Sequence, residues 1–492
     1  MRKNLPYASP ESKGIPSEAI TAFIDEIEQK KINMHSFMLL RNGEILAECY
    51  WPFFDAGRKQ RIYSCSKSVL SVAVGMVIDE GKLSLDSKVA DFFPEYITPG
   101  THPYLLDATV RHLLMMSTPN HINSYDIHDA DWIYTFFNLE GEKTPPGTRF
   151  SYDTAGTDTL CAIVEKLSGK RMLDYMRPVL DKLGISSDAW CIQSPEGRSW
   201  AGSGVMFTTL DFAKFALFCL NRGEWNGEQL VSREYMEAAT SFQIDNSGRS
   251  DLEEFRFGYG YKFLMLRSGG GFACCGMGGQ LALMFPEKDI AMVITSDTQM
   301  NDFSPVNGIS AIVSEFFKLY EKAGSAPLPE NAEAQAKLKE KISGVYTPLP
   351  DGNTATAKAA EYSGARYKLQ DNQTGIKWVS VDIAPEKCVF RYGNAAGEHS
   401  IAFGMGEYML QKSPSKYHSV RVGTADRHYD IVATGVWPDD DTFLGTMYSV
   451  DNHMGAATIK LTFSNGEVQL DMQKYTQWFF DEYRGSALGH SM

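Results

Sequence analysis

The sequence predicts an α+β domain followed by an all-β domain, and three observations carry that reading. A helical repeat, a tight hairpin and an almost wholly apolar second helix follow one another before Asp79. Residues 326–342 are polar and rich in Ala, Glu and Lys, as a linker with a helical part would be. Beyond them come short β-rich runs without helical spacing. The expected organisation is therefore 1–325, a linker 326–342, and a C-terminal β domain 343–492.

After Pro16, Ser17 is placed to cap a helix whose apolar residues Ile20, Phe23, Ile24 and Ile27 recur at i, i+3, i+4 and i+7. Phe37 to Leu40 and Ile45 to Trp51 flank Asn42-Gly43, the pair that supplies positive φ for a two-residue turn. Val69, Leu70, Val72, Ala73, Val74, Met76, Val77 and Ile78 then predict a buried helix, with Gly81 closing it and Pro94 as a later stop. Thr109 to Thr118 reads as a short helix entering a loop. Its His112, like His121 nearby, has no acid–base partner at local spacing and reads as structural or surface.

Leu160, Ile163, Val164 and Leu167 mark a helix face, which puts Tyr152 at a loop-to-helix junction. Thr208 to Phe215 begins another capped helix. Arg267 to Gln280 is glycine-rich and leads into Leu281 to Phe285 and Ile290 to Ser296, an antiparallel pair around Pro286-Glu287-Lys288-Asp289. No nucleotide-loop spacing lies there. In the C-terminal part, Lys377 to Ile383, Cys388 to Tyr392, Ser400 to Phe403, Ser419 to Val422, Tyr429 to Val436, Ala457 to Phe463 and Val468 to Met472 read as strands of a closed or sandwiched domain.

The 492 residues carry a net charge of −14. An acidic surface repels nucleic acid and anionic membrane, so neither is expected as a partner. No run long enough to span a bilayer and no leader-like h-region appears, which reads as cytoplasmic. The eight cysteines lack metal-ligand spacing and read as buried free thiols; no metal or cofactor is expected.

Ser64 and Lys67 stand three residues apart at the start of the apolar helix, on one face. A serine hydroxyl is a weak nucleophile near neutral pH, and an amine held against it can take its proton. Unpaired N–H groups at a helix start can face an oxyanion. The spacing alone is common, and a solvated helix start is the plain alternative.

With Tyr152 in Pro146-Gly147-Thr148-Arg149-Phe150-Ser151-Tyr152 and the glycine-rich edge near Gly276 to Gln280, the ordered set resembles the serine β-lactamase and penicillin-recognising enzyme superfamily. Gly202 to Lys214 and Leu183-Gly184-Ile185 support the resemblance, which covers roughly residues 10 to 322. The texture is similar to 6-aminohexanoate-dimer hydrolases and β-lactamase-like carboxylesterases. It implies a β-lactamase/transpeptidase-like antiparallel sheet with an all-helical subdomain, Ser64 as acylated nucleophile, Lys67 as proton partner and Tyr152 as base or shuttle. It also implies an oxyanion hole from Ser64 N–H and an edge-strand N–H near Gln280, and it likens the C-terminal domain to the lipocalin-like barrels of D-aminopeptidase-type relatives.

Two departures shape the substrate expectation. Tyr152-Asp153-Thr154 stands where Tyr-x-Asn is usual, so Thr154 replaces an amide. Met277-Gly278-Gly279 is taken as the place of the usual Lys-Thr-Gly or His-x-Gly, with Met277, Gly278, Gly279 and Gln280 lining the site. A charge-assisted contact to a substrate carboxylate is worth roughly 1.5–3 kcal/mol, and Met277 cannot supply it. The expected substrate is a neutral ester or amide unless Arg267 compensates. D-aminopeptidase or weak β-lactamase activity, and a non-catalytic binding protein of the same fold, are the other readings. A homo-oligomer is left open.

Overall fold

The computed structural model describes residues 5–121, 131–248, 253–267, 270–302, 307–416, 427–476 and 480–492. The chain divides into two compact units, one running to Tyr346 and the other built chiefly from Thr347–Met492. The expected strand Ser419 to Val422, and Ser268-Gly269 of the glycine-rich stretch, lie outside the described residues.

The first unit is α+β. Six antiparallel strands form one sheet in the order Glu44–Tyr50, Met34–Arg41, Ile290–Ser296, Gln280–Phe285, Phe272–Gly276, Leu264–Met265. The Asn42-Gly43 turn has both residues at positive φ, 52° and 71°, as a tight hairpin needs. Every residue of Met34–Arg41 is buried, because helices cover both faces of the sheet. On one face Phe23 packs against Phe37 at 5.1 Å, and Phe285 against Phe316 at 5.8 Å, which seats helices Ser17–Gln29 and Gly308–Lys322. On the other, Met38, Leu40, Ala282, Met284, Ala291 and Val293 join the core of the site helix Ser66–Asp79. Helices Thr154–Ser168 and Met172–Leu183 pack with the site helix, forming the helical part of this unit.

Two local expectations, at Ser17 and Pro94, change in detail. Ser17 does not cap its helix; it is the first helical residue, and the Glu11 carboxylate accepts its N–H at 2.8 Å and its hydroxyl at 3.0 Å. Pro94 opens a 3-10 turn, Pro94–Tyr96, because a proline tolerates the first helical position better than an interior one. His112 accepts the Thr109 N–H at 3.1 Å within the capping box of helix Val110–Leu114, so its role there is structural. Helix Ala332–Ser343 belongs to the first unit, where Lys341 pairs with Asp25 and Glu28.

In the second unit one sheet closes on itself. The ring runs Gly397–Met405, Lys387–Asn394, Trp378–Ile383, Arg366–Leu369, Gly485–Ser491, Glu467–Tyr475, Ala456–Ser464, Thr442–Ser449, His428–Asp439. It is sealed by a short parallel pairing, Gly404 with Thr434 and Met405 with Gly435. Met409–Lys416 is added outside the nine-strand ring, on His428–Asp439. Aromatic side chains fill the interior, among them Trp437, Phe443, Phe463, Tyr392, Tyr429 and Tyr483. Gly435 and Gly445 face each other across two strands, and a Cβ on Gly445 would sit 2.6 Å from the Phe403 ring. Gly445 thus leaves room for the Phe403 ring, and Gly435, where a Cβ would lie 2.6 Å from the Phe443 ring, leaves room for that one.

Candidate active site

Ser64 lies in the 3-10 turn Tyr63–Cys65 that runs directly into the site helix. Tyr63 adopts φ +46°, a left-handed conformation that a bulky residue holds only when its surroundings enforce it. Arg61 provides that enforcement. Its guanidinium stacks between the Tyr63 and Trp200 rings, 4.4 Å from each centroid, and donates to the Ser203 carbonyl and hydroxyl at 2.8 Å. One buried cation thus ties the nucleophile turn to the loop around Gly202.

Lys67 is buried, and its Nζ lies 3.1 Å from Ser64 Oγ and donates to the Gly202 carbonyl at 2.6 Å. It also lies 4.8 Å from the centre of the Tyr152 ring. The structure therefore gathers Ser64, Lys67 and Tyr152, from segments far apart in the chain, around one amine.

The Gly202 loop is in turn held by Asp158. Its Oδ1 accepts the Gly202 N–H at 2.9 Å, while Oδ2 is buried with no hydrogen-bond partner among the described residues. Burial pushes the Asp158 carboxyl from its ordinary 3.8 up to about 8, against the opposing pull of the Gly202 N–H and of Lys67. Asp153 is fully buried and accepts the Thr118 hydroxyl at 3.1 Å. Thr154, the first residue of its helix, lies against the same loop: a Cβ on Gly202 would meet its methyl at 2.4 Å.

The glycine-rich edge divides into two parts. Gly276, the last residue of its strand, sits against the nucleophile turn; a Cβ there would lie 2.5 Å from the Ile62 carbonyl and 3.2 Å from the Ser64 nitrogen. Met277 follows it. Gly278 and Gly279 form the turn between strands, both at positive φ, with their carbonyls accepting from Ser296 Oγ at 2.8 and 3.0 Å. Gln280 is buried, and its amide donates to Ser296 O at 2.6 Å and to Met277 O at 3.3 Å. Gly276 is thus the glycine nearest Ser64, and Gln280 secures the turn behind it.

A family model described as Beta-lactamase matches residues 20–312. The chain belongs to the beta-lactamase family. The 6-aminohexanoate-dimer hydrolase of Paenarthrobacter ureafaciens is 27% identical over 249 residues, 47% of this chain and 64% of that protein. A protein of Alkalihalophilus pseudofirmus is 23% identical over 239 residues, 43% of this chain and 66% of that protein. The chain thus spans just under two thirds of the length of each of these relatives. Among solved structures, the octameric penicillin-binding protein homologue from Pyrococcus abyssi is 17% identical with a TM-score of 0.50, covering 96% of this chain and 99% of that one. That likeness is one of fold.

Phe272–Gly276, the strand that ends beside the nucleophile turn, is flanked by the short outer strand Leu264–Met265. Phe272–Gly276 contains no lysine, arginine or histidine, and Cys274 and Cys275 precede the glycine. The Arg267 guanidinium lies 5.2 Å from the centre of the Phe317 ring, on helix Gly308–Lys322. Cys65, beside the nucleophile, is a packing thiol: its Sγ donates to the Gln280 carbonyl at 3.2 Å, and burial pushes its pKa well above the ordinary 9.0. Sequence reasoning missed Gly202, Asp158 and Lys262, the last a buried lysine whose backbone carbonyl accepts from Ser68 at 2.6 Å. None carries a spacing signal relative to Ser64. Among the described residues no cluster of metal-ligating side chains forms, and no helix is long and apolar enough to cross a membrane.

Proposed function

We propose that this chain is a metal-free serine hydrolase that cleaves a neutral ester or amide through an acyl-enzyme on Ser64. The observation that carries the reading is the 3.1 Å contact between Lys67 Nζ and Ser64 Oγ, within the reach of a general base and its nucleophile. The Lys67 amine takes the hydroxyl proton as Oγ bonds to the substrate carbonyl carbon. The carbonyl electron pair moves to oxygen, where the N–H groups of Ser64 and of the chain at Gly276–Met277 receive it. Collapse expels the alcohol or amine, which takes its proton from Lys67 by way of Tyr152. Water then attacks the ester on Ser64, gives up a proton to the same groups, and releases the acid.

The absence of a cationic side chain in Phe272–Gly276 supports a substrate without a carboxylate at this edge. The family relative that is a 6-aminohexanoate-dimer hydrolase supports an amide bond as one target. D-aminopeptidase or weak β-lactamase chemistry would use the same Ser64 and differ only in the substrate accepted. The Pyrococcus homologue, aligned over both units of this chain, is octameric and supports a homo-oligomer here.

Intact mass after exposure to a fluorophosphonate or a p-nitrophenyl ester tests the mechanism. An adduct on the wild type that is absent from Ser64→Ala is expected; an unlabelled wild type, or an undiminished adduct on the variant, overturns it. A panel of acyl esters, D-aminoacyl amides and nitrocefin then separates the substrate classes.

A further inference from the structure

Gly202 is held at both ends of its backbone by side chains from two different helices. Its carbonyl accepts from Lys67 Nζ at 2.6 Å, and its N–H donates to Asp158 Oδ1 at 2.9 Å. Lys67 belongs to the site helix Ser66–Asp79, and Asp158 to helix Thr154–Ser168. Asp158 has no part in the mechanism proposed above.

The neighbouring N–H groups of the loop close on backbone. Trp200 donates to Ile192 O at 2.7 Å, Ala201 to Ser199 O at 2.9 Å, and Ser203 and Gly204 to Trp200 O at 3.1 and 2.7 Å. Gly202, in their midst, gives its N–H to a side chain instead. The turn thus closes through its own backbone, and what the carboxyl adds is the placement of the residue that meets Lys67.

The fit between loop and helix is close. Thr154 and Asp158 stand four residues apart on one helix face, and a Cβ on Gly202 would lie 2.4 Å from the Thr154 methyl and 3.1 and 3.3 Å from the two Asp158 carboxyl oxygens. Gly202 is not at positive φ, so a glycine is needed there for room and not for backbone conformation. Asp158 is buried and its Oδ2 has no hydrogen-bond partner. A side chain needed only to fill this space would be better apolar, because a buried polar group with unused hydrogen-bonding capacity is costly.

We propose that Asp158 is a positioning residue of the Ser64–Lys67 step: by fixing Gly202 it fixes the carbonyl that anchors the Lys67 amine 3.1 Å from Ser64 Oγ. Its influence on acylation passes through Lys67, which sets it apart from a residue that only holds the fold. Burial favours the protonated carboxyl at neutral pH, so Asp158 serves as a neutral acceptor, a role that an asparagine can fill.

This inference rests on the acyl-enzyme reading, and a double-mutant cycle on the full chain tests it, read as the rate of Ser64 acylation by a p-nitrophenyl ester. Asp158→Leu keeps the branching of the side chain and deletes the acceptor. The saturating acylation rate falls about 10–100-fold, as a small misplacement of a reacting group costs, and the half-saturating ester concentration changes little. Asp158→Asn, which still presents an oxygen to the Gly202 N–H, stays within about threefold of the wild type. In the Lys67→Met background Asp158→Leu adds no further loss, because the group through which it acts is gone. Asp158→Ala, which removes the acceptor without adding bulk, replaces Asp158→Leu in the cycle if that variant does not fold.

A folded Asp158→Leu that acylates at the wild-type rate overturns the inference alone. So does an Asp158→Asn as slow as Asp158→Leu, or a loss as large in the Lys67→Met background as in the wild type. A wild-type chain that takes no label on Ser64 overturns the acyl-enzyme reading, and this inference with it.

Discussion

Lys67 donates to the Gly202 carbonyl at 2.6 Å, a shorter bond than its 3.1 Å contact with Ser64. The amine is therefore anchored to a backbone oxygen that does not react, which leaves its approach to the nucleophile set by the position of the 200–204 loop. Asp158 holds that loop from below through the Gly202 N–H, and Arg61 holds it from the side through Ser203.

Removing the amine should abolish fast acylation while leaving the fold intact. Lys67→Met is expected to lower the rate of p-nitrophenyl ester acylation by about 10²–10⁴-fold, the usual worth of a positioned general base. Stopped-flow bursts check the rate. The thermal midpoint should hold or rise, since a buried polar amine is replaced by an apolar side chain.

Gly276→Ala tests the close approach at the oxyanion side. The added methyl would meet the Ile62 carbonyl at 2.5 Å, so the strand end or the nucleophile turn must shift. The expected loss in acylation rate is about 10²–10³-fold, as for removal of one oxyanion donor. Binding of substrate, read as KM, should change far less.

Asp158 makes stability depend on pH with a definite sign. Its folded pKa is raised to about 8 from 3.8, so between these values the folded state retains a proton that the unfolded state has released. Its contribution is fully present below about pH 4 and is lost as pH rises through about 8. Asp158→Asn removes this dependence. Urea midpoints measured from pH 5 to 8.5 should show the variant gaining on the wild type as pH rises, and parallel curves would refute the shift.

In the second unit, Trp437 is fully buried against Phe443 at 5.4 Å and Phe463 at 6.3 Å. Trp437→Ala should cost about 3–5 kcal/mol, the usual range for emptying such a site. Urea unfolding followed through near-UV circular dichroism checks it, with an early transition expected in the barrel.

What the sequence determined by itself is local. Asn42-Gly43, the Thr208–Asp211 capping box, Gly81 after its helix and the Ser64–Lys67 spacing are each settled by neighbours a few residues apart, through φ preferences, end groups and helical periodicity. Four strands of the second unit, Arg366–Leu369, Thr442–Ser449 and Gly485–Ser491 of the ring and Met409–Lys416 added to it, escaped because they mix polar and small residues and find their pairing only in the assembled sheet. The tertiary structure alone decided which glycine meets Ser64: a Cβ on Gly276 would lie 3.2 Å from the Ser64 nitrogen, while Gly278 and Gly279, alike in the chain, form the turn at positive φ. It also decided that Gly202, Asp158 and Lys262 surround Lys67. Their chemistry comes from burial and from a carbonyl or an amine delivered by distant segments, and neither burial nor distance is written in residue spacing.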